Sequence, residues 1–216
     1  MDPFGLNPES VIARVRASGA VAPIPTHSRS MLLGALGFSV ASLIVFGTVA
    51  FAERWMYQNL GLTGAYITWT VLFMIVAGGL LSSLIIGPGR LGRFYALFCL
   101  AFLLYAVGWI AAYFTLGGLP GEWAGSLLGS ILMAVAICWA FGSFARFPGM
   151  ALILFVGNSL GYFAGSFLNS YFGDAAGMLL WGLFFGLGLG FALGWALYDA
   201  QGALRTLLQD PFKTRA

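Results

Sequence analysis

The sequence predicts an all-α polytopic membrane protein, a bundle of six transmembrane helices with both termini in the cytoplasm. Three observations carry that prediction. Of 216 residues, 60% are hydrophobic and only 8% charged, where a soluble domain carries roughly 25% charged. The ionisable residues are clustered, and between the clusters lie six apolar runs, at 31–52, 63–86, 94–116, 123–144, 149–172 and 175–198. Each can cross a hydrocarbon core, which takes about 20 helical residues. Glycines also recur every fourth position in the last three runs, a spacing that lets helices approach closely in lipid. The chain accordingly divides into a cytoplasmic N-terminal segment (1–30), a six-helix membrane domain (31–198) and a cytoplasmic tail (199–216).

In chain order, Asn7, Pro8 and Glu9 are suited to start a short amphipathic helix. Val11, Ile12 and Val15 form its apolar face, Arg14 and Arg16 its charged one, so it is expected to lie on the inner leaflet. Pro23 and Pro25 mark a linker into the first run. Ala50-Phe51-Ala52 matches a small-residue cleavage pattern, but the run from Met31 to Ala52 exceeds the 7–15 residues of a secretory core, so the segment is expected to be retained. Trp55 and Tyr57 give the following stretch the composition of an aromatic belt. Ile86-Gly87-Pro88-Gly89-Arg90 and Phe147-Pro148-Gly149 are expected inner turns, Leu116 to Gly121 an outer one. Beyond Asp199 a short helix with Leu204, Leu207 and Leu208 on one side is expected to continue to Pro211.

Lysines and arginines set the orientation. With the N-terminus inside, Arg14, Arg16, Arg29, Arg90, Arg93, Arg146, Arg205, Lys213 and Arg215 are cytoplasmic, and only Arg54 of the ten basic residues lies outside. The outer loops carry Glu53, Glu122 and Asp174. The net charge of +3 thus reports topology and not nucleic-acid binding, and a cell membrane of the bacterial inner-membrane type is expected. Cys99 and Cys138 read as buried small apolar residues.

The glycine stripes are Gly121, Gly125 and Gly129 in the fourth run, Gly157, Gly161 and Gly165 in the fifth, and Gly182, Gly186, Gly190 and Gly194 in the sixth. They predict zipper-like packing among the last three helices, with the first three bulkier. No internal repeat between the two halves is evident.

No acid or base falls in mid-membrane, where such groups mark function, and no clustered donors suggest a metal or cofactor. Gly157-Asn158-Ser159-Leu160-Gly161 resembles the serine motif of the rhomboid proteases, themselves six-helix membrane proteins. That resemblance implies a nucleophile at Ser159. Those enzymes pair it with a histidine on another spanning helix, however, and the only histidine here, His27, sits in the linker as a solvated residue. No catalytic site is expected, because a serine without a base is a weak nucleophile.

The polar feature of most interest is the helical stripe of Asn158, Tyr162, Ser166 and Asn169. It reads either as a lining that touches a small solute or as interhelical hydrogen bonding. Ser39, Ser42, Thr68, Thr70, Ser82 and Ser83 could extend it or bond their own backbones. Arg90-Leu91-Gly92-Arg93 is similar to the second-to-third-helix loop of one half of a major facilitator transporter. Gly89 and Phe94 depart from that family's Asp-Arg-x-Gly-Arg-Arg pattern. Its glycine-rich fifth helix is matched by Gly157, Gly161 and Gly165, with Ser166 where a proline belongs. The resemblance implies transport, by a unit that would have to dimerise. The expected function is permeation or transport of a small neutral or weakly polar solute. The alternative is a non-catalytic scaffold packing against lipids, a second copy or partner membrane proteins.

Overall fold

The computed structural model describes residues 2–19 and 23–209. Pro211, Lys213 and Arg215 lie outside the described residues. Within them the chain is helical throughout: α1 (Pro8–Ser18), α2 (His27–Leu81), α3 (Arg90–Leu116), α4 (Gly118–Phe141), α5 (Phe147–Phe172), α6 (Asp174–Ala200) and α7 (Gly202–Gln209). Five helices, α2 to α6, are long and apolar enough to cross a membrane. Large apolar side chains face outward all along them, Phe114, Tyr171, Leu160 and Phe167 among the most exposed. Water would not tolerate so large an apolar surface, and lipid does.

The longest helix, α2, is two antiparallel arms. At Gly61 the backbone takes φ 68°, ψ 176°, a region essentially closed to side chains. The chain reverses there: the Phe38 and Phe73 rings lie 5.0 Å apart, whereas along one unbroken helix their separation would be about 50 Å. The helix also persists through Trp55 and Tyr57 up to this point, past the stretch expected to leave it. Gly117 (φ 66°, ψ 159°) and Gly173 (φ 64°, ψ −175°) turn α3 into α4 and α5 into α6 in the same conformation. At both, the glycine amide donates to a carbonyl four residues back, Tyr113 or Asn169, and its carbonyl accepts from the amide of Gly121 or Gly177. The interval from Gly61 to Gly117 equals that from Gly117 to Gly173. The fold is therefore three helical hairpins with evenly spaced glycine tips, a repeat invisible to a comparison of halves.

The glycine stripes meet partners beyond the last three helices. Those of α6 face the first arm of α2: a Cβ on Gly190 would overlap the Gly34 carbonyl, one on Gly194 the Ser30 carbonyl, and one on Gly186 the Ser39 backbone. Gly182 sits against Phe46. The first arm carries its own small-residue stripe, so it is not bulky on this side. Gly157 and Gly161 of α5 face α6 through Gly188 and Phe184, with would-be Cβ distances of 2.6 Å to each carbonyl, and Gly165 meets Trp181. Gly121, Gly125 and Gly129 face α3 instead, at Tyr113, Trp109 and Tyr105. Glycine contact thus runs from the first arm through α6 to α5, and separately between α4 and α3.

The end opposite the hairpin tips is closed by α1 and α7. Asn7 caps α1 by accepting from the Ser10 amide at 2.9 Å. Val11 is buried with Ile86 and Leu204 of α7, and Ile12, Val15 and Leu208 pack around them. The apolar face of α1 is therefore occupied by the protein, which corrects the expectation that it lies on the leaflet. Gln201 secures the turn before α3: its side chain accepts from the Ile86 amide and donates to the carbonyls of Leu84 and Leu197, all at 2.8–2.9 Å. Arg93, expected at a helix end, is buried there and donates to the carbonyls of Gly5, Ile86 and Pro88. Burial pushes the Asp2 carboxyl up, but hydrogen bonds from Ser10 and from the amides of Leu6, Asn7 and Gly5 outweigh it and hold its pKa below the usual value.

Two smaller expectations are also corrected. His27 opens α2 and so lies outside the linker, although it is exposed, with its ring 4.7 Å from that of Tyr198. Cys99 is exposed on the bundle surface, while Cys138 is buried. Of the two readings open for the other polar residues, Thr68, Thr70, Ser82 and Ser83 follow the second, bonding backbone carbonyls three or four residues earlier, and the buried Ser39 and Ser42 hydroxyls have no hydrogen-bond partner.

Candidate functional site

The polar stripe of α5 divides into three environments. Asn158 is fully buried. Its Oδ1 accepts from the Tyr105 hydroxyl at 2.8 Å, and its Nδ2 donates to the Ser126 Oγ at 2.8 Å. The Ser126 and Ser159 hydroxyls share a bond of 2.7 Å. One amide and three hydroxyls thereby join α3, α4 and α5, and an amide in hydrocarbon needs such partners. Ser159 has no base in this network, so the G-x-S-x-G stretch forms a polar clamp.

Tyr162, one turn further, lies on a cleft of about 240 Å³ whose walls are almost wholly apolar. Six rings from four helices surround it: Phe46 from the first arm of α2, Tyr105 and Trp109 from α3, Tyr162 from α5, and Trp181 and Phe185 from α6. Ala106 and Ile110 complete the wall. The rings are in mutual contact, Trp109 to Tyr162 at 5.7 Å, Tyr162 to Trp181 at 5.6 Å and Trp181 to Phe46 at 5.8 Å between centroids. Tyr105 shows its ring to the cleft and gives its hydroxyl to Asn158. Asn158 therefore supports the wall from behind and does not itself line the space. The floor is Phe185, whose ring meets Phe38 at 5.9 Å. Beyond it Phe38, Phe73, Phe94 and Phe98 fill the core of the bundle, so the cleft does not continue to the opposite end.

Asn169 lines a second, wider space of about 610 Å³ near the hairpin tips, with Val49, Ala50, Glu53, Gly173, Asp174 and Met178. The two spaces are in register. Glu53 follows Phe46 by seven residues, Asn169 follows Tyr162 by seven, and Asp174 precedes Trp181 by seven. Seven residues are two helical turns on one face, about 10 Å. Three helices thus each present an aromatic ring to the cleft and a polar or acidic group to the vestibule above it. Ser166 lies between these levels, half-buried, and lines neither space.

The aromatic cleft escapes sequence reading because its rings come from separate runs. Phe46, Trp109 and Trp181 look individually like lipid-facing or core aromatics. The signal available was the Trp181 and Tyr162 positions on the glycine-bearing faces of α6 and α5. Among the described residues no group of His, Cys, Asp and Glu could hold a metal ion. The chain matches no protein-family model, no curated protein and no solved structure.

Proposed function

We propose that the three hairpins make six membrane crossings with both termini cytoplasmic, and that the protein transports a small neutral or weakly polar solute. On this reading the solute enters at the hairpin-tip side and is received by the aromatic cleft. The cleft carries the proposal: it is a concave, largely apolar space between helices, with few polar groups at its edge, the form that small-molecule sites take. The orientation rests on charge. Arg14, Arg16, Arg29, Arg90, Arg93, Arg146 and Arg205 gather at the end bearing α1 and α7, and Glu53, Glu122 and Asp174, with Arg54 alone among the bases, belong to the hairpin-tip end, which is the pattern of a cytoplasmic and an outer face.

Transport then requires the Phe38–Phe73–Phe98 plug to yield, by rocking across the glycine contacts between α6 and the first arm of α2. The scaffold alternative docks lipids or partners through glycine-rich or aromatic faces; the glycine stripes are occupied within the chain, which leaves it the exposed aromatic surface. No bond chemistry enters this reading.

The test is flux into proteoliposomes across a panel of small uncharged solutes. We expect one or more to equilibrate faster than in protein-free vesicles, and Ala106→Trp, which fills the cleft, to remove that advantage while the protein stays folded. Absence of flux for every solute, or flux untouched by Ala106→Trp, would refute the proposal.

A further inference from the structure

Resting on the reading of the cleft as the solute site, but replacing the neutral solute by a charged one, we infer that its preferred occupant is a weakly hydrated organic monocation, of the quaternary-ammonium type. Two independent features point to this class. A ring of aromatic faces attracts a cation through its quadrupoles, and boxes of Trp and Tyr are the usual way proteins recognise quaternary ammonium. Here Trp109, Tyr162, Trp181 and Phe46 form a continuous arc around one space, with successive centroids under 6 Å apart. No basic side chain lines it.

The second feature is the vestibule two turns outward, which presents Glu53 and Asp174 and no lysine or arginine. Arg54, adjacent in sequence, does not line it. A negative antechamber concentrates cations at its mouth and repels anions. A metal ion or a primary ammonium is strongly hydrated and finds no oxygen cage in the cleft to replace its water. A methylated ammonium gives up little hydration and meets π-faces on several sides. Charge selection at the vestibule and desolvated selection at the rings thus converge on one chemistry.

The test uses the full chain in maltoside micelles, free of choline-headgroup lipid, titrated with choline and with 3,3-dimethylbutan-1-ol, the same shape with carbon in place of the charged nitrogen. We expect choline to bind at least tenfold tighter. Trp181→Leu with Tyr162→Leu should erase that preference, and Tyr162→Phe should keep it. Because the ring variants sit in the packed bundle, Glu53→Gln with Asp174→Asn on the exposed mouth provides a second arm. It should weaken choline binding several-fold at low salt and leave the alcohol unaffected. Equal affinity for the two probes would overturn the inference while leaving a solute cleft in place. A choline preference that survives both the ring and the mouth variants would also overturn it. Binding of neither probe, together with a silent flux panel, would remove both the inference and the transport proposal.

Discussion

Asn158 shows how a residue that looks like a pore lining becomes a strut. Its amide has partners on two other helices, Tyr105 and Ser126, and each interhelical bond of this kind contributes roughly 0.6 to 2 kcal/mol. Asn158→Leu is therefore expected to lower stability by about 1 to 3 kcal/mol, read as a drop in thermal midpoint in detergent. Ser166→Ala, on the same stripe but outside both spaces, should leave the midpoint where it is. Gly190 and Gly92 make a similar pair. Gly190 admits no side chain beside the Gly34 carbonyl, while nothing lies within 4 Å of a Cβ on Gly92. Gly190→Leu should destabilise by about 3 kcal/mol or more, at the upper end of overpacking costs, and Gly92→Ala should be neutral or slightly stabilising, since alanine is the better helix former. Equal effects of the two in a thermal scan would contradict the packing described for α6.

At the scale of elements, the long helices were legible because hydropathy is a local property: α3 to α6 fall on the runs read from composition, to within a few residues at most ends. The start of α1 was legible for the same reason, since Asn7, Pro8 and Glu9 act on their immediate neighbours. Which faces meet was not legible. A glycine stripe announces close contact without naming the partner, so the pairing of Gly186, Gly190 and Gly194 with Ser30, Gly34 and Ser39 could only come from three dimensions. The hairpin repeat was missed because its marker is one backbone conformation at Gly61, Gly117 and Gly173, and a lone glycine in a run carries no obvious signal. Substituting Gly61 by valine should cost about 1–3 kcal/mol, the strain of a side chain in that region, and loosen the second arm in hydrogen exchange.

The clamp of α1 at the opposite end carries a pH dependence. The Asp2 carboxyl has its pKa lowered from an ordinary value of 3.8, so its contribution is present above that value and is lost as pH falls through the lower, folded one. The N-terminal segment should therefore become protease-sensitive at acid pH before the bundle unfolds, and Asp2→Asn should show that sensitivity already at neutral pH.

Across the whole molecule, the chain organises one axis. Basic groups, α1, α7 and the bonds of Arg93 and Gln201 seal one end. Toward the other end lie the cleft of six rings and, two turns further out, the space lined by Glu53 and Asp174, and a block of phenylalanines separates the cleft from the sealed end. The cleft belongs to no single helix. It exists because glycine contacts draw the first arm of α2, α6 and α5 together while Asn158 fixes Tyr105 on α3. In the proposed orientation this cleft is reached from the outer face. The direct test is thiol labelling of Ala106→Cys, with Cys99 and Cys138 replaced by serine, in intact spheroplasts treated with a membrane-impermeant methanethiosulfonate. Rapid labelling from outside is expected, slowed by filling the cleft with Phe185→Trp, with little labelling of Leu103→Cys, which is exposed on the apolar surface of the bundle. Labelling only after the inner face is exposed, or equal rates at residues 106 and 103, would contradict it.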